Sequence, residues 1–181
     1  MTQIYYGTKQ IKATPMDRQA YNDYRGWDLP ADEDGSDAGF LVEYVDGGAS
    51  NHPDHEGYIS WSPADVFERA YQSSGSMNFG HALQALKDGH RVARAGWNGK
   101  GMWIALTPGS VFDARHAKLG HAAKHRADEL QADLPHDGTE HVIELLPHID
   151  MRAADGSMVV GWLASQTDML ADDWLIVDAQ S

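Results

Sequence analysis

Four residues near the middle of the chain carry side chains that together suit nucleotide binding: Arg94, Trp97, Asn98 and Lys100. A tryptophan ring can stack on a base for about 1–3 kcal/mol, while cations and amides bind phosphate and ribose. These residues therefore form a candidate ligand site. The alternative is structural, because Asn98 and Gly99 suit a tight turn and Trp97 could pack in a core.

A second candidate group consists of Ser165, Gln166 and Asp168. Ser165 stands three residues before Asp168, which is the spacing of a capping box that closes the first turn of a helix. The functional alternative is that this helix start, with its partial positive charge and free N–H groups, faces a phosphate or ribose. Asp168 would then accept hydrogen bonds from a ribose hydroxyl or an adenine amino group. It cannot easily do both.

Three aromatic residues could contact a base or fill a core. Phe79 opens a predicted helix and could close over a base, although its helical spacing favours the core. Trp162 is open to either role. Trp174 lies in a predicted strand, where an aromatic residue most often packs against a sheet face or forms a subunit interface.

Catalytic and metal-binding patterns are weak. His121 and His125 share one helical face, as in two-histidine metal sites, but no glutamate stands in the motif position and no third ligand is identified. A solvated helix is the favoured interpretation. The chain has no cysteine, which excludes disulfides, thiolate metal sites and a cysteine nucleophile. We therefore expect a protein that is not an enzyme and uses no cofactor.

Charge and composition limit the possible partners. The 181 residues are 42% hydrophobic, enough for one ordinary domain or two small ones, and the net charge is −13. That charge argues against general binding to DNA or to anionic membranes, but it permits one focused phosphate site. No run of about 18 apolar residues and no signal peptide is present, so the expected location is cytoplasmic.

The chain divides into two predicted modules, residues 1–72 and 77–181, joined by a polar linker at residues 73–76. Before Ser76 there are 5 basic and 13 acidic residues, a net charge of −8, and the remainder has 9 basic and 14 acidic residues. In the first module the patterns predict one helix over residues 18–24 and another that begins with a Ser62 cap and Pro63 as its first residue. Strands are predicted over residues 11–16, 40–45 and 57–61.

The second module is predicted to combine antiparallel hairpins with short helices. One hairpin joins residues 91–97 and 102–106 through a tight Asn98-Gly99 turn, and another turns at Asp155-Gly156. The second hairpin pairs residues 148–152 with 158–163; helices are predicted over 79–88 and 165–172, a strand over 174–177, and mainly helix with an acidic loop over 112–141. The expected fold class is α+β, with helices on one face of the sheets.

Residues 77–80, 82–87, 94–102 and 162–174 resemble, in order, the motifs of a small phage domain whose members include the second type of Thoeris anti-defence protein. The resemblance implies a homo-oligomer, expected to be a tetramer, in the host bacterial cytoplasm. It would hold a cyclic ADP-ribose derivative made by a TIR-domain enzyme, or another cyclic nucleotide signal, away from its effector. The implied contacts are Phe79, Arg94, Trp97, Asn98, Lys100, Trp162, Ser165, Gln166 and Asp168. Residues 1–72 resemble, more loosely, an accessory domain that begins various phage proteins, and this implies no activity.

Two other functions remain open. The acidic first module could make the protein a DNA mimic or an interaction protein for a basic partner, whose binding would weaken steeply with salt. A nucleotide hydrolase using His121 and His125 would instead show turnover that depends on a metal or on these histidines. The sequestering protein should release its ligand chemically intact on denaturation.

Overall fold

Ten β-strands, five α-helices and one 3₁₀ turn occur among the residues that the computed structural model describes, which are 2–5, 7–99, 101–132 and 141–177. They fall into two units, Met1–Ser73 and Ser74–Ser181. Every paired strand is antiparallel, so the α+β class is confirmed. No helix in the described part of the chain is long and apolar enough to cross a membrane.

The first unit is built on a three-stranded sheet in the order β1-β2-β3. Its elements are β1 (Ile11–Pro15), α1 (Arg18–Arg25), β2 (Gly39–Tyr44), β3 (Tyr58–Pro63) and α2 (Ala64–Ala70). Asp17 caps the start of α1 by accepting a hydrogen bond from the Ala20 N–H, and Gly26 ends the helix with a left-handed φ of 67°. These are ordinary helix start and stop signals.

The two helices of this unit cover opposite faces of the central strand. Tyr21 of α1 packs with Leu41 and Ile59, whereas Phe67 of α2 stacks on Phe40 with ring centroids 4.0 Å apart. Successive residues of a strand point to opposite faces, so Phe40 and Leu41 mark the two sides. The expectation that helices would lie on one face is therefore wrong for the first unit.

The start of α2 also differs from its prediction. Ser62 and Pro63 are the last residues of β3, with Pro63 opposite Gly39, and the helix begins at Ala64. The Ser62 hydroxyl turns to the Pro63 carbonyl, and no side chain caps the helix. Ser62 and Pro63, which the local pattern assigned to the cap and first turn of the helix, are therefore paired in the sheet instead.

The second unit contains a five-stranded sheet in the order β10-β4-β5-β8-β9 and a separate pair, β6-β7. Its strands and helices, in chain order, are α3 (Phe79–Lys87), β4 (Val92–Arg94), β5 (Trp103–Thr107), β6 (Ser110–Asp113), α4 (Ala122–Ala132), β7 (Val142–Leu145), β8 (His148–Arg152), β9 (Met158–Val159), α5 (Gln166–Met169) and β10 (Trp174–Ile176). The 3₁₀ turn Ala114–His116 lies between β6 and α4.

Two small cores hold the second unit together. Trp174, Ile104 and Leu86 are fully buried between the five-stranded sheet and α3, so the prediction of Trp174 as a core residue is confirmed. A second core joins Ala127 of α4 to Ile143 of β7. Residues 112–141 thus contain strand pairing with β7 that the helical interpretation missed, and residues 133–140, which include His136, lie outside the described residues.

The tight turn predicted at Asn98-Gly99 does not form. That turn type needs positive φ at both central residues, whereas the positive φ in this segment belongs to Gly101, at 72°. Strand β4 ends at Arg94 and pairs with β5 only at Val92 opposite Ile104. The chain leaves the ladder as a longer connection, residues 95–102, which we call the β4–β5 loop.

Two other local signals of this unit, the glycine stop of α3 and the glycine turn between β8 and β9, are confirmed. Gly89, with φ of 91°, follows the end of α3, and Gly156, with φ of 88°, turns the hairpin between β8 and β9. Strand β9 ends at Val159 and α5 has only one turn, so both are shorter than predicted. Within the predicted linker, Ser74 and Gly75 hydrogen-bond to the backbone of β10 and belong to the second unit.

Candidate functional site

The fold brings six of the nine predicted site residues together in the second unit: Phe79, Arg94, Trp97, Trp162, Ser165 and Asp168. They come from α3, β4, the β4–β5 loop, the segment that leads into α5, and α5 itself. Asn98 and Gln166 directly follow two of these residues and are exposed. Lys100 lies outside the described residues.

The Asp168 carboxylate is the common partner within this group. Its Oδ1 accepts hydrogen bonds from Arg94 Nη1 at 2.9 Å and from Trp97 Nε1 at 3.1 Å. Its Oδ2 accepts from the Ser165 hydroxyl at 2.7 Å, while the Asp168 N–H donates to Ser165 Oγ at 3.1 Å. The capping box is therefore confirmed. A ligand contact for Asp168 stays a prediction, and its carboxylate is already shared among three side chains.

Asp173 provides the second carboxylate for Arg94. Arg94 Nε donates to Asp173 Oδ1 at 2.8 Å, and Asp173 Oδ2 accepts from the Gly96 N–H at 2.7 Å. The Arg94 side chain is 14% exposed and lies between two carboxylates, 13% and 31% exposed. We refer to Arg94, Trp97, Ser165, Asp168 and Asp173 as the Asp168 network. With one arginine and two aspartates, it has a net charge of −1.

The pKa values follow from these contacts. Burial alone would raise the pKa of Asp168, but hydrogen bonds from Ser165, Arg94 and Trp97 outweigh burial and leave the pKa below its ordinary value. The Arg94 hydrogen bond is the main reason that the pKa of Asp173 is also lowered. The same bonds, that from Asp173 first, raise the pKa of Arg94. All three groups are thus charged at neutral pH.

Four aromatic rings pack beside the Asp168 network and form what we call the aromatic cluster: Phe79, Trp97, Trp162 and Trp174. Trp174 is completely buried at its centre, and its indole N–H donates to the Asp168 carbonyl at 3.1 Å. Trp97 and Trp162 each meet the Trp174 ring nearly edge-on, at interplanar angles of 76° and 79°. Edge-on packing leaves a ring face turned away from its partner. Phe79, Trp97 and Trp162 are only half-buried.

The β4–β5 loop is held at several points. Asp173 binds the Gly96 N–H, and Arg152 Nη1 donates to the Gly101 carbonyl at 2.6 Å. A β-carbon on Gly99 would lie 2.3 Å from Met102 Sδ and 2.5 Å from the Ala154 β-carbon. Glycine at position 99 is therefore required by close packing and not by a tight turn.

Three polar groups of this part of the second unit have no hydrogen-bond partner in the described residues. Within the described residues, the side-chain amides of Asn98 and Gln166 make no hydrogen bond, and neither does the indole N–H of Trp162. Trp162 belongs to the aromatic cluster, and Asn98 and Gln166 directly follow Trp97 and Ser165 of the Asp168 network in the chain. They supply donors and acceptors that are available to a ligand.

Residues 77–177 match the family of the Thoeris anti-defense 2-like domain. The chain belongs to the Thoeris anti-defense 2-like family. The Thoeris anti-defense 2 protein of Bacillus phage SP01 is 35% identical over 103 residues, which cover 56% of this chain and 94% of that protein. The resemblance seen in the sequence is confirmed, and it supports a phage anti-defence role.

In this Thoeris anti-defense 2-like domain, sequence reasoning missed Asp173 and Arg152. The pairing of β4 with β10 places Trp174 opposite Arg94 and so brings Asp173 to the arginine. Arg152 of β8 lies opposite Trp103 of β5, and from this position its side chain reaches the β4–β5 loop. Neither contact has a local sequence signal, because both depend on strand register.

Neither a metal ion nor a helix dipole is a good source of ligand binding among the described residues of this site. Among the described residues, no group of three or more histidine, aspartate or glutamate side chains could hold a metal. The proposed helix start at Ser165 belongs to a four-residue helix, and Ser165 itself binds the Asp168 N–H. A helix of one turn provides a much weaker dipole than a long one, so side chains must supply most of any ligand recognition.

We expect Asp168→Ala to lower the free energy of unfolding of the second unit by about 2–4 kcal/mol, because it removes three hydrogen bonds to a charged group and leaves Arg94 with one carboxylate. The matched control is Asp172→Ala. Asp172 is exposed and has no partner within the described residues, so its removal should change stability by less than about 0.5 kcal/mol. Urea unfolding monitored by tryptophan fluorescence measures both; equal effects would contradict the role of Asp168.

The lowered pKa values of Asp168 and Asp173 predict a loss of stability in acid. A carboxylate with a depressed pKa stabilises the fold above its unfolded pKa, and this contribution disappears as the pH falls through the folded pKa. The stability difference between the wild type and Asp168→Asn should therefore be largest above about pH 5 and shrink steadily below it. Urea titrations across this range test the expectation. A difference that does not vary with pH would show that geometry, not charge, is lost.

Proposed function

We propose that the second unit binds a cyclic ADP-ribose-type immune signal and holds it without cleaving it. The family relation supports an anti-defence role, and sequestration is a way to perform that role without catalysis. The observation that carries the proposal is a set of half-buried aromatic rings held by charged hydrogen bonds, with two exposed amides that follow Trp97 and Ser165 in the chain and have no partner among the described residues.

The aromatic cluster supplies the stacking surface in this proposal. Phe79, Trp97 and Trp162 are half-buried, and each packs against the buried Trp174. Stacking on a base contributes about 1–3 kcal/mol per ring face. A sequestering protein must compete with a receptor, which requires a Kd near the nanomolar level, or about −12 kcal/mol. Fixed rings help because little ordering is lost when the ligand binds.

The predicted site residues divide into two roles in this proposal. Arg94, Ser165 and Asp168 hold the scaffold, because each already has charged or hydroxyl partners. Asn98 and Gln166, which have no partner among the described residues, contact ribose or base atoms directly. The Asp168 network has a net charge of −1 and does not favour a phosphate. The cations for phosphate are therefore Lys100 and Arg152, the latter at the edge of the β4–β5 loop.

We extend the proposal to the oligomeric state and the cellular location: the protein acts as a homotetramer in the host cytoplasm. Strand β9 is an edge of the five-stranded sheet; its residues Met158 and Val159 are 52% and 46% exposed, and Val160, which follows it, is 74% exposed. An apolar edge strand that stays unpaired favours association with another chain. Native mass spectrometry should show four copies, and Val159→Lys should shift the mass to smaller species. A wild-type mass of one chain would contradict the tetramer.

Ligand release tests whether the protein sequesters its ligand without cleaving it. The purified chain is incubated with cyclic ADP-ribose isomers and cyclic di- and trinucleotides, freed of unbound ligand, heat-denatured and analysed by mass spectrometry. We expect one intact cyclic ADP-ribose-type compound. Release of a cleaved product would instead indicate a hydrolase, and release of nothing would support the acidic interaction protein.

Two variants that truncate an amide side chain test which residues contact the ligand directly and which only hold the scaffold. Asn98→Ala and Gln166→Ala should each weaken binding about 3–10-fold, as expected for the loss of one neutral hydrogen bond, and leave unfolding unchanged. The control is Gln72→Ala, which truncates an exposed glutamine of the first unit. Titration calorimetry with the compound released from the wild type gives the Kd values. Unchanged Kd in both variants would remove Asn98 and Gln166 from the site.

A further inference from the structure

A second polar cluster lies in the first unit, where Tyr24, His55 and Glu43 are connected by hydrogen bonds. His55 Nδ1 lies 3.1 Å from Glu43 Oε2, and His55 Nε2 lies 3.0 Å from the Tyr24 hydroxyl. The three side chains therefore stand in the order carboxylate, imidazole, hydroxyl. In this order a base can take the hydroxyl proton while the carboxylate orients the base.

Each member is fixed by the element that carries it. Tyr24 lies in the last turn of α1, and Glu43 is on the central strand β2. His55 belongs to the connection between β2 and β3. Asn51 clamps this connection, since its side chain accepts from the Ile59 N–H at 2.8 Å and donates to the Ile59 carbonyl at 2.9 Å. The geometry of the cluster thus follows from the fold of the sheet.

Proton positions in the cluster follow from its hydrogen bonds. The Glu43 side chain is 9% exposed, and its Oε1 accepts the N–H groups of Glu56 and Gly57, each at 3.0 Å. The Gly57 and His55 bonds hold the pKa of Glu43 below its ordinary value. Glu43 is therefore a carboxylate that accepts the Nδ1–H of His55. A neutral imidazole protonated at Nδ1 leaves Nε2 as the acceptor for the Tyr24 hydroxyl.

The tyrosine is within reach of a reagent from solution. Tyr24 is 36% exposed, whereas the side chains of His52 and His55 are only 15% and 16% exposed. His52 stacks on the Tyr24 ring at a centroid distance of 4.4 Å and an interplanar angle of 23°. One side of the ring is therefore covered, and the hydroxyl points to His55.

We propose that Tyr24 is a nucleophile activated by His55 and Glu43, and that it reacts with uncharged esters. In the step, the Tyr24 oxygen forms a bond to the ester carbonyl carbon, and the bond from that carbon to the alcohol oxygen breaks. The phenol proton passes to His55 Nε2, the alcohol leaves as its anion, and Glu43 stabilises the resulting imidazolium. The net charge of −8 before Ser76 disfavours phosphate substrates. This activity is independent of ligand binding by the second unit.

The test compares two tyrosines in the same wild-type protein. The full chain is treated with p-nitrophenyl acetate, and acetylation of each tyrosine is followed by peptide mass spectrometry. Tyr58 is the internal reference, because it is more exposed, at 46%, and has no histidine partner in the described part of the chain. We expect Tyr24 to react at least about tenfold faster, since a positioned general base contributes about 10²–10⁴-fold in enzymes. Acetylation of Tyr58 at an equal or higher rate would overturn the proposal.

Variants of the cluster test whether the fast reaction of Tyr24 depends on His55 and Glu43. His55→Gln and Glu43→Gln should each lower the Tyr24 rate to that of Tyr58, and Tyr24→Phe should abolish the label at this position. His125→Gln is the control, because His125 is an exposed histidine of the second unit with no side-chain partner among the described residues; the Tyr24 rate should stay within about threefold. Rapid acetylation of Tyr24 in His55→Gln would also overturn the proposal. The wild-type ratio of Tyr24 to Tyr58 decides the matter even if a variant does not fold.

Discussion

The Asp168 carboxylate accepts hydrogen bonds from a strand residue, a loop residue and a helix cap at the same time. Arg94, Trp97 and Ser165 are thereby held around one side chain that is 13% exposed. The neighbouring carbonyl of the same residue receives the indole N–H of Trp174, the central residue of the core. A charge that is mostly removed from water must keep its partners, because leaving either side unpaired is costly. The arrangement of the aromatic cluster therefore depends on this one residue.

This constraint separates two kinds of residue that look alike in the sequence. Arg94 and Asp168 have the chemistry of ligand-binding residues, yet the fold directs their charges at each other and at Asp173. Asn98 and Gln166 are uncharged, but they directly follow Trp97 and Ser165 in the chain and have no side-chain partner among the described residues. Strong internal bonds make a rigid scaffold, and the groups left over are free to bind something else. A rigid scaffold is what tight binding of a small ligand needs.

Local signals predicted the elements that depend only on neighbouring residues. The capping box of Ser165 and Asp168 and the turn at Gly156 formed as expected, because each is decided within a few residues. The Asn98-Gly99 turn did not form, since Asp173, 75 or so positions away, binds the Gly96 N–H and draws β4 towards β10. Strand register made that contact, and no pattern near Asn98 contains it. The sequence could predict which residue types meet in this region, but which of them hydrogen-bond to one another depends on the strand register.

The two polar clusters of this chain differ in the nitrogen group at their centre. In the second unit the cation is Arg94, whose pKa is raised further by Asp173 and Asp168, so it keeps its charge and cannot accept a proton. Such a network can fix positions but cannot carry out proton transfer. In the first unit the central group is His55, which lies between a carboxylate and a hydroxyl and presents one ring nitrogen to each of them. An arginine between carboxylates is therefore suited to holding side chains in place, whereas an imidazole between a carboxylate and a hydroxyl is suited to the proposed activation of Tyr24.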